Sequence, residues 1–256
     1  MNTPIRPRGG LPRQCIAVAA TAFVALALIA APAGAAAPTD AAAAQATGDR
    51  AAAPAVDPFQ ANLRLLAAVR GADAQAIAHA LAEGASIDFR NRLGETPLLA
   101  LLKKKRGDLA ARFVDRGADV NAAAVNGTTP LMAAAYNGDA AFVQRLLDRG
   151  ADPAPVDRTG KNAITYAAGE GHTEVVRLLL AHGVDPNAVY RNDLTALMWA
   201  AGDGHADTVR ALLTAGARSD LHDNRGKTAL DMAKETGNAA TVAALEGAAA
   251  PATAGR

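Results

Sequence analysis

Residues 127–135 read Gly-Thr-Thr-Pro-Leu-Met-Ala-Ala-Ala, and the signature that opens this stretch recurs at a constant interval of 33 residues. A second signature, usually Gly-Ala-Asp, keeps the same interval. Because two signatures in phase over five copies mark repeated structural units, the chain is predicted to fold as a solenoid of stacked units. The copies of the first signature begin at Gly94, Gly127, Gly160, Asp193 and Gly226, and those of the second at Gly84, Gly117, Gly150, Gly183 and Gly216.

Each unit is predicted to open with a short helix. The hydroxyl of Thr129 can accept a hydrogen bond from a backbone N–H that the first helical turn leaves unpaired. Pro130 suits the first helical position, where no N–H is needed. A glycine such as Gly138 is expected to end the helix, because glycine enters the left-handed backbone region without steric cost. The equivalent capping residues in the other units are Thr96, Asn162, Thr195 and Thr228.

A second helix is predicted in each unit from apolar residues at helical spacing, as in Val175, Val176 and Leu179. It is expected to end at the next Gly-Ala-Asp signature, whose acid can accept hydrogen bonds from the backbone that follows. The stretch that leads to the next Gly-x-Thr signature is short and polar, so it is predicted to be a turn. Paired alanines such as Ala134-Ala135 allow neighbouring first helices to approach closely. Only stacking then buries the apolar faces.

These signatures resemble the ankyrin repeat family over roughly residues 58–247. The resemblance implies an all-α fold, an ankyrin-repeat solenoid of helix-turn-helix units joined by β-turn or hairpin loops. An N-terminal capping repeat is expected at residues 58–90 and a C-terminal one at residues 223–247, with the polar residues Asp231 and Glu246 on its outer face. The full repeats between them are expected at residues 91–123, 124–156, 157–189 and 190–222.

Two features depart from the family pattern. Ankyrin repeats usually carry a histidine after Thr-Pro-Leu, and apolar packing is expected to replace its hydrogen bonds here. The second feature is the basic run Lys103-Lys104-Lys105-Arg106, which stands where other units have the glycine that ends the first helix. That helix is therefore predicted to continue toward Gly107. The run is interpreted as a solvated loop, with a basic contact for an acidic partner as the alternative. The residues at the histidine position are Leu99, Met132, Thr165, Met198 and Asp231.

The N-terminal segment, residues 1–35, is predicted to be a secretory signal peptide. Three arginines precede an apolar run over residues 15–31, and small residues follow at 33–36, with cleavage expected after Ala35 or Ala37. The alternative is an uncleaved membrane anchor. Both interpretations place the repeats in the periplasm or outside the cell. Residues 36–57 and 248–256 lack apolar periodicity and are predicted to be a disordered linker and tail.

The charge balance argues against nucleic-acid binding. The chain has 26 basic and 25 acidic side chains, and loss of the signal segment would remove three arginines and no acid. Nucleic-acid binding needs a concentrated positive footprint, which this balance does not provide. The only cysteine, Cys15, lies in the signal segment, so the mature protein is predicted to have no disulfide.

No constellation of catalytic residues is found. His172 and His205 occupy equivalent positions in consecutive units, and packed helices lie about 8–10 Å apart, whereas the ligands of one zinc ion lie within about 2 Å of it. They are therefore interpreted as residues that start a helix. Ser86 and Ser219 lie in turns with no histidine placed to activate them. We assign no catalytic residue, no metal ligand and no cofactor, and the protein is predicted not to be an enzyme.

The resemblance places partner contacts beside the turn glycine and at the end of the first helix, along one concave strip. The turn edge is basic, which predicts a partner protein with an acidic patch. Tyr166 and Trp199 are expected to touch across the interface between units, with Tyr136 exposed. The expected contact residues are Arg92, Glu95, Lys103, Lys104, Asn126, Tyr136, Asn137, Arg158, Lys161, Glu170, Arg191, Asn192, Asp203, Asn224 and Arg225.

The sequence therefore predicts an exported, monomeric, non-catalytic module that binds another protein and inhibits or protects it. An envelope-anchored structural adaptor is the alternative, and an enzyme with an unrecognised site is a less favoured third. Contact with a membrane is expected only if the signal segment stays uncleaved.

Overall fold

The computed structural model describes residues 57–249, so the predicted signal peptide, nearly all of the predicted linker and most of the predicted tail lie outside the described residues. Within that range the chain forms α-helices, one short 3₁₀ turn at Arg191–Asp193 and no strand. None of these helices is long and apolar enough to cross a membrane. The helices are α1 (Pro58–Gly71), α2 (Ala74–Ala82), α3 (Pro97–Lys103), α4 (Gly107–Asp115), α5 (Pro130–Asn137), α6 (Ala140–Asp148), α7 (Ala163–Gly169), α8 (Thr173–Ala181), α9 (Ala196–Gly202), α10 (Ala206–Thr214), α11 (Ala229–Thr236) and α12 (Ala239–Ala249).

The helices form two rows. Each odd-numbered helix from α1 to α9 packs against the next odd-numbered helix, and each one from α1 to α11 packs against the even-numbered helix that follows it in the chain. From α4 onward, each even-numbered helix also packs against the next even-numbered one. Contacts between neighbours in this order are typical of a solenoid. The predicted all-α solenoid is confirmed.

Small side chains let the helices of the first row approach closely. Ala134 and Ala135 in α5 are fully buried, as are Ala167 and Ala168 in α7. Larger side chains such as Leu131 fill the space between the rows, and each leucine buried in this way stabilises the fold by about 2 kcal/mol. The core is therefore one continuous strip that runs along the stack.

The five predicted helix caps are confirmed. Thr129 Oγ1 accepts a hydrogen bond from the Met132 N–H at 3.3 Å, and Thr195 accepts one from Met198 at the same distance. Pro130 occupies the first helical position, as predicted. The same cap is made by Thr96, Asn162 and Thr228.

Three of the four pairs of neighbouring turns are linked through the backbone, and the third and fourth turns are joined instead by the Arg191 guanidinium, which donates to the carbonyl of Arg158 at 3.4 Å. The N–H of Val125 donates to the carbonyl of Leu93 at 2.9 Å, and the N–H of Arg158 donates to the carbonyl of Asn126 at 2.9 Å. Asn224 continues this series in the last turn by donating to Asn192 at 3.0 Å. These bonds fix the spacing of successive turn tips.

The prediction for the basic run was wrong in one respect. Helix α3 ends at Lys103 and does not continue toward Gly107. Lys105 enters the left-handed region with a φ of 58°, and its N–H bonds to the carbonyl of Leu102 at 2.9 Å. The Arg106 N–H then bonds to the carbonyl of Leu101 at 2.9 Å. The last carbonyls of the helix are thereby satisfied without a glycine.

The residues at the usual histidine position act in two ways. The side chains of Leu99, Met132 and Met198 are at most 2% exposed, which confirms that apolar packing replaces the histidine there. Thr165 and Asp231 instead accept a hydrogen bond from the backbone N–H of the capping residue and form capping boxes. Asp231 is exposed in the last unit, where no further unit covers it.

Histidines tie consecutive units together. His172 Nε2 lies 3.0 Å from the carbonyl oxygen of Tyr136, and His205 Nε2 lies 2.8 Å from that of Gly169. Because a carbonyl oxygen only accepts, each of the two imidazoles donates its hydrogen bond. The ring of His205 also packs on Gly171, where a Cβ atom would lie 2.4 Å from Nδ1. Glycine is thus required at this position by its φ of 74° and by its neighbour.

Gly171→Ala is predicted to destabilise the fold more than Gly237→Ala. Both glycines have positive φ at equivalent places in the repeat, but nothing lies within 4 Å of a Cβ atom on Gly237. Gly237→Ala should cost about 1 kcal/mol from backbone strain. Gly171→Ala should cost about 1–3 kcal/mol more, because His205 is displaced. Urea unfolding measures both values, and equal losses would contradict the proposed role of His205.

Candidate functional site: the turn edge and the ends of the first helices

The expected contact residues lie on two adjacent parts of the solenoid, which together we call the binding strip. One part consists of the turn tips and the other of the ends of the first-row helices. Most of these side chains are exposed, whereas Glu95, Asn137 and Lys161 are half-buried. The exposed members are Arg92, Lys103, Lys104, Asn126, Tyr136, Arg158, Glu170, Arg191, Asn192, Asp203, Asn224 and Arg225.

Glu95 and Asn137 make contacts that hold the strip in place. Glu95 accepts hydrogen bonds from Lys103 at 2.7 Å and from Asn91 at 2.8 Å. Burial by itself raises the pKa of Glu95, but the hydrogen bonds from Lys103 and Asn91 outweigh it and leave the pKa below its ordinary value. Asn137 donates to the carbonyl of Leu102 at 2.7 Å, across the interface between units.

Three aromatic residues were expected at or near the binding strip, namely Tyr136, Tyr166 and Trp199. Tyr166 packs edge-on against Tyr136, with ring centroids 5.9 Å apart and an interplanar angle of 88°. Tyr166 and Trp199, which were expected to touch, share a cation. Lys161 Nζ lies 3.7 Å from the centre of the Trp199 ring and 5.4 Å from that of Tyr166. Tyr136 is 47% exposed, in agreement with the prediction.

Asp157 organises the third turn, a role that was not predicted from the sequence. Its carboxylate is nearly buried and accepts bonds from the N–H and hydroxyl of Thr159, the N–H of Lys161 and the hydroxyl of Tyr166. Burial raises the pKa of Asp157, but these hydrogen bonds together leave it below its ordinary value. An Asn or Asp three residues before the turn glycine, also seen at Asn91 and Asp223, is the sequence signal for this contact.

Fewer side chains carry an unpaired positive charge along the turn edge than the sequence implies. Arg225 Nε donates to Asp223 at 2.8 Å, and this ion pair offsets its charge. Arg191 extends toward the preceding turn, where its guanidinium lies 3.4 Å from the carbonyl of Arg158. Among the described residues, neither Arg92 nor Arg158 forms an ion pair with an acid. The exposed positive charge therefore lies on Arg92, Arg158 and Arg191.

The fourth turn differs in backbone conformation from the others. Asn192 and Asp193 both have positive φ, at 63° and 59°, where the other turns use a single glycine. Tyr190 stands where the first, third and fifth turns have an acid or amide, and its hydroxyl accepts a hydrogen bond from Asn162 at 2.8 Å. This turn presents Arg191 and Asn192 on an outward loop.

The titratable side chains that repeat from unit to unit are used in structural contacts. His172 and His205 start α8 and α10, as predicted, and both donate to carbonyls of the preceding unit. Within residues 57–249 there is no group of three His, Cys, Asp or Glu side chains that could hold a metal ion. Asp119 and Asp152 accept hydrogen bonds from backbone N–H groups two residues ahead, which confirms their predicted role.

Comparison with known proteins identifies the family. The sequence model of a family described as ankyrin repeats (3 copies) matches residues 65–157, 100–190 and 164–250. The chain belongs to the ankyrin-repeat family. No curated protein matches the sequence. Ankyrin repeats generally mediate protein–protein interaction and are typically non-catalytic.

The ionisation of Asp157 is predicted to make stability depend on pH in the acidic range. Because its pKa is lowered by folding, its contribution is present above an ordinary aspartate pKa of about 3.9 and is lost as the pH falls through the lowered value. Asp157→Asn keeps an acceptor for the turn, as Asn91 provides in the first turn, but does not titrate.

The free energy of unfolding should therefore fall less steeply below about pH 4 in Asp157→Asn than in the native protein. Urea unfolding at a series of pH values measures this difference. The pKa of Asp223 is also lowered, and this carboxylate is present in both proteins, so it adds the same pH dependence to each. Parallel curves would show that the Asp157 carboxylate adds nothing to the turn as an anion.

Proposed function

We propose that this protein is an exported binding module that holds a partner protein on the binding strip and thereby inhibits or protects it. The observation that carries the proposal is the backbone linkage between turns, in which Leu93 accepts from Val125 and Asn126 accepts from Arg158 at 2.9 Å. Turn tips fixed in this way lose little conformational freedom when a partner binds. Family membership supports a protein as the partner.

The exposed arginines favour a partner with an acidic patch. Arg92, Arg158 and Arg191 lie at equivalent places in three of the turns, so their charges lie along one edge of the solenoid. Complementary charge speeds encounter and selects against basic partners. Binding through this edge should weaken as salt is raised, since the screening length falls to about 8 Å at physiological ionic strength.

Export is supported by the pattern of residues 1–35, in which a basic start, an apolar run and small residues follow one another. An envelope-anchored adaptor is the second candidate, because the same apolar run could remain attached as an anchor. The intact mass of the protein recovered from a periplasmic extract separates the two. A mass without residues 1–35 supports the soluble module, and a membrane-bound protein that retains them favours the adaptor.

Reversal of two turn arginines is predicted to weaken capture of the partner. Affinity purification from the periplasm of the native host supplies the partner, and binding is then measured with the purified pair. The variant Arg158→Glu with Arg191→Glu should bind about 30-fold more weakly, as expected if each reversal costs about 1 kcal/mol.

The matched control reverses two exposed arginines on second-row helices, Arg112 in α4 and Arg177 in α8. It changes the net charge by the same amount but leaves the binding strip intact. If the affinity falls equally in both double variants, the effect comes from net charge alone. An unchanged affinity in the turn variant would exclude this edge as the contact surface.

A further inference from the structure

A pocket of about 280 Å³ opens between the ends of α3, α5 and α7. Its apolar part is formed by Met132 and Ala133, which are almost fully buried, and by the half-exposed ring of Tyr136. Tyr166 closes one side, and its edge-on packing against Tyr136 holds both rings in position. The pocket therefore has a fixed, largely apolar and aromatic wall.

Lysines give the rim of this pocket a positive charge. Lys103 and Lys105 both line it, but the ammonium of Lys103 lies 2.7 Å from the carboxylate of Glu95, which offsets its charge. Lys161 is held above the ring of Trp199. The side chain of Lys105 is exposed and has no ion pair within residues 57–247. Lys105 is thus the cation that the pocket offers to a ligand.

Lys105 also stands where the backbone favours glycine. Its φ is 58°, a conformation that residues with a Cβ atom rarely adopt. Ala72 shares this conformation in the first unit. In the next three units a histidine or asparagine packs against the glycine, whereas the residue equivalent to it beside Lys105 is Asp139, which accepts a hydrogen bond from the N–H of Phe142. A strained residue beside a pocket is a pointer to function. The four later units have glycine with positive φ at this position, namely Gly138, Gly171, Gly204 and Gly237.

We propose that this pocket receives an acidic residue of the partner protein together with an apolar neighbour. The carboxylate meets the ammonium of Lys105, and the apolar side chain packs on Met132 and the ring of Tyr136. Opposite charges at a rim and an aromatic wall inside it are the features that make a specific contact in protein interfaces. The proposal rests on the proposed binding function and adds the chemistry that the partner presents at one point of the binding strip.

Peptide selection followed by a double-mutant cycle tests the proposal. Phage-displayed random peptides are panned against the purified protein, and enriched peptides are synthesised in two forms, with the acidic residue and with the corresponding amide. Enriched peptides should carry Asp or Glu beside an apolar residue. By fluorescence anisotropy the acid form should bind about three- to fivefold more tightly than the amide form, as expected for one partly exposed ion pair. Lys105→Gln should abolish that difference.

Arg112→Gln is the control, because it removes the same charge from an exposed residue of α4 that lies outside the binding strip and does not line the pocket. It should preserve the difference between acid and amide peptides. Lys105→Gly should bind like Lys105→Gln, while its urea midpoint stays equal to that of the native protein or rises, since glycine relieves the backbone strain. This variant separates loss of binding from loss of folding.

The possible outcomes separate this proposal from the binding function itself. Enriched peptides without acids, or a difference between acid and amide that survives Lys105→Gln, would overturn the assignment of the pocket. The binding function would stand in that case if Arg158→Glu with Arg191→Glu still weakened capture of the partner. Failure of both peptides and partner to bind the folded protein would remove the basis of both proposals.

Discussion

Close contact between neighbouring first-row helices is the constraint on which the rest of the structure depends. It is made by residues without bulk, such as Ala134 in α5 and Ala167 in α7, both fully buried. A helix with such a face buries too little apolar surface to be stable alone, because isolated helices of this length are marginal in water. Each unit is therefore stabilised by the two units beside it. The free energy of unfolding approximates a sum of unit and interface contributions.

The binding strip follows from the same constraint. Because the units repeat with little change, side chains at one position of the repeat line up along the stack, and their differences determine what the surface recognises. Lys103, Tyr136 and Gly169 show this at one such position, where charge gives way to an aromatic ring and then to no side chain. Contacts such as Asn137 with the Leu102 carbonyl keep these positions in register. In each repeat the contacts between units keep the solenoid rigid, whereas the exposed side chains differ from one unit to the next.

The sequence predicts those features whose partners lie close together in the chain. The cap at Thr195 and the turn contact of Asp152 each involve a donor two or three residues away, so local chemistry was enough to identify them. The contacts of Lys161 with the Trp199 ring cross an interface between units and depend on packing that spacing alone does not define. The end of α3 was mispredicted for a similar reason. The Arg106 guanidinium donates to the carbonyl of Ala72 in the preceding unit at 3.2 Å. This contact helps to fix a turn at a position where the absence of glycine had predicted a longer helix.

Urea unfolding of a chain that lacks residues 157–189 tests the dependence of each unit on its neighbours most directly. This deletion removes one interval of 33 residues, so the units on either side can still meet in register. We predict a single cooperative transition with a lower midpoint and a smaller m-value, since less surface is exposed on unfolding. Loss of the helical circular dichroism signal without urea, as expected if these residues belonged to one interlocked globule, would contradict the account, and so would an unchanged midpoint.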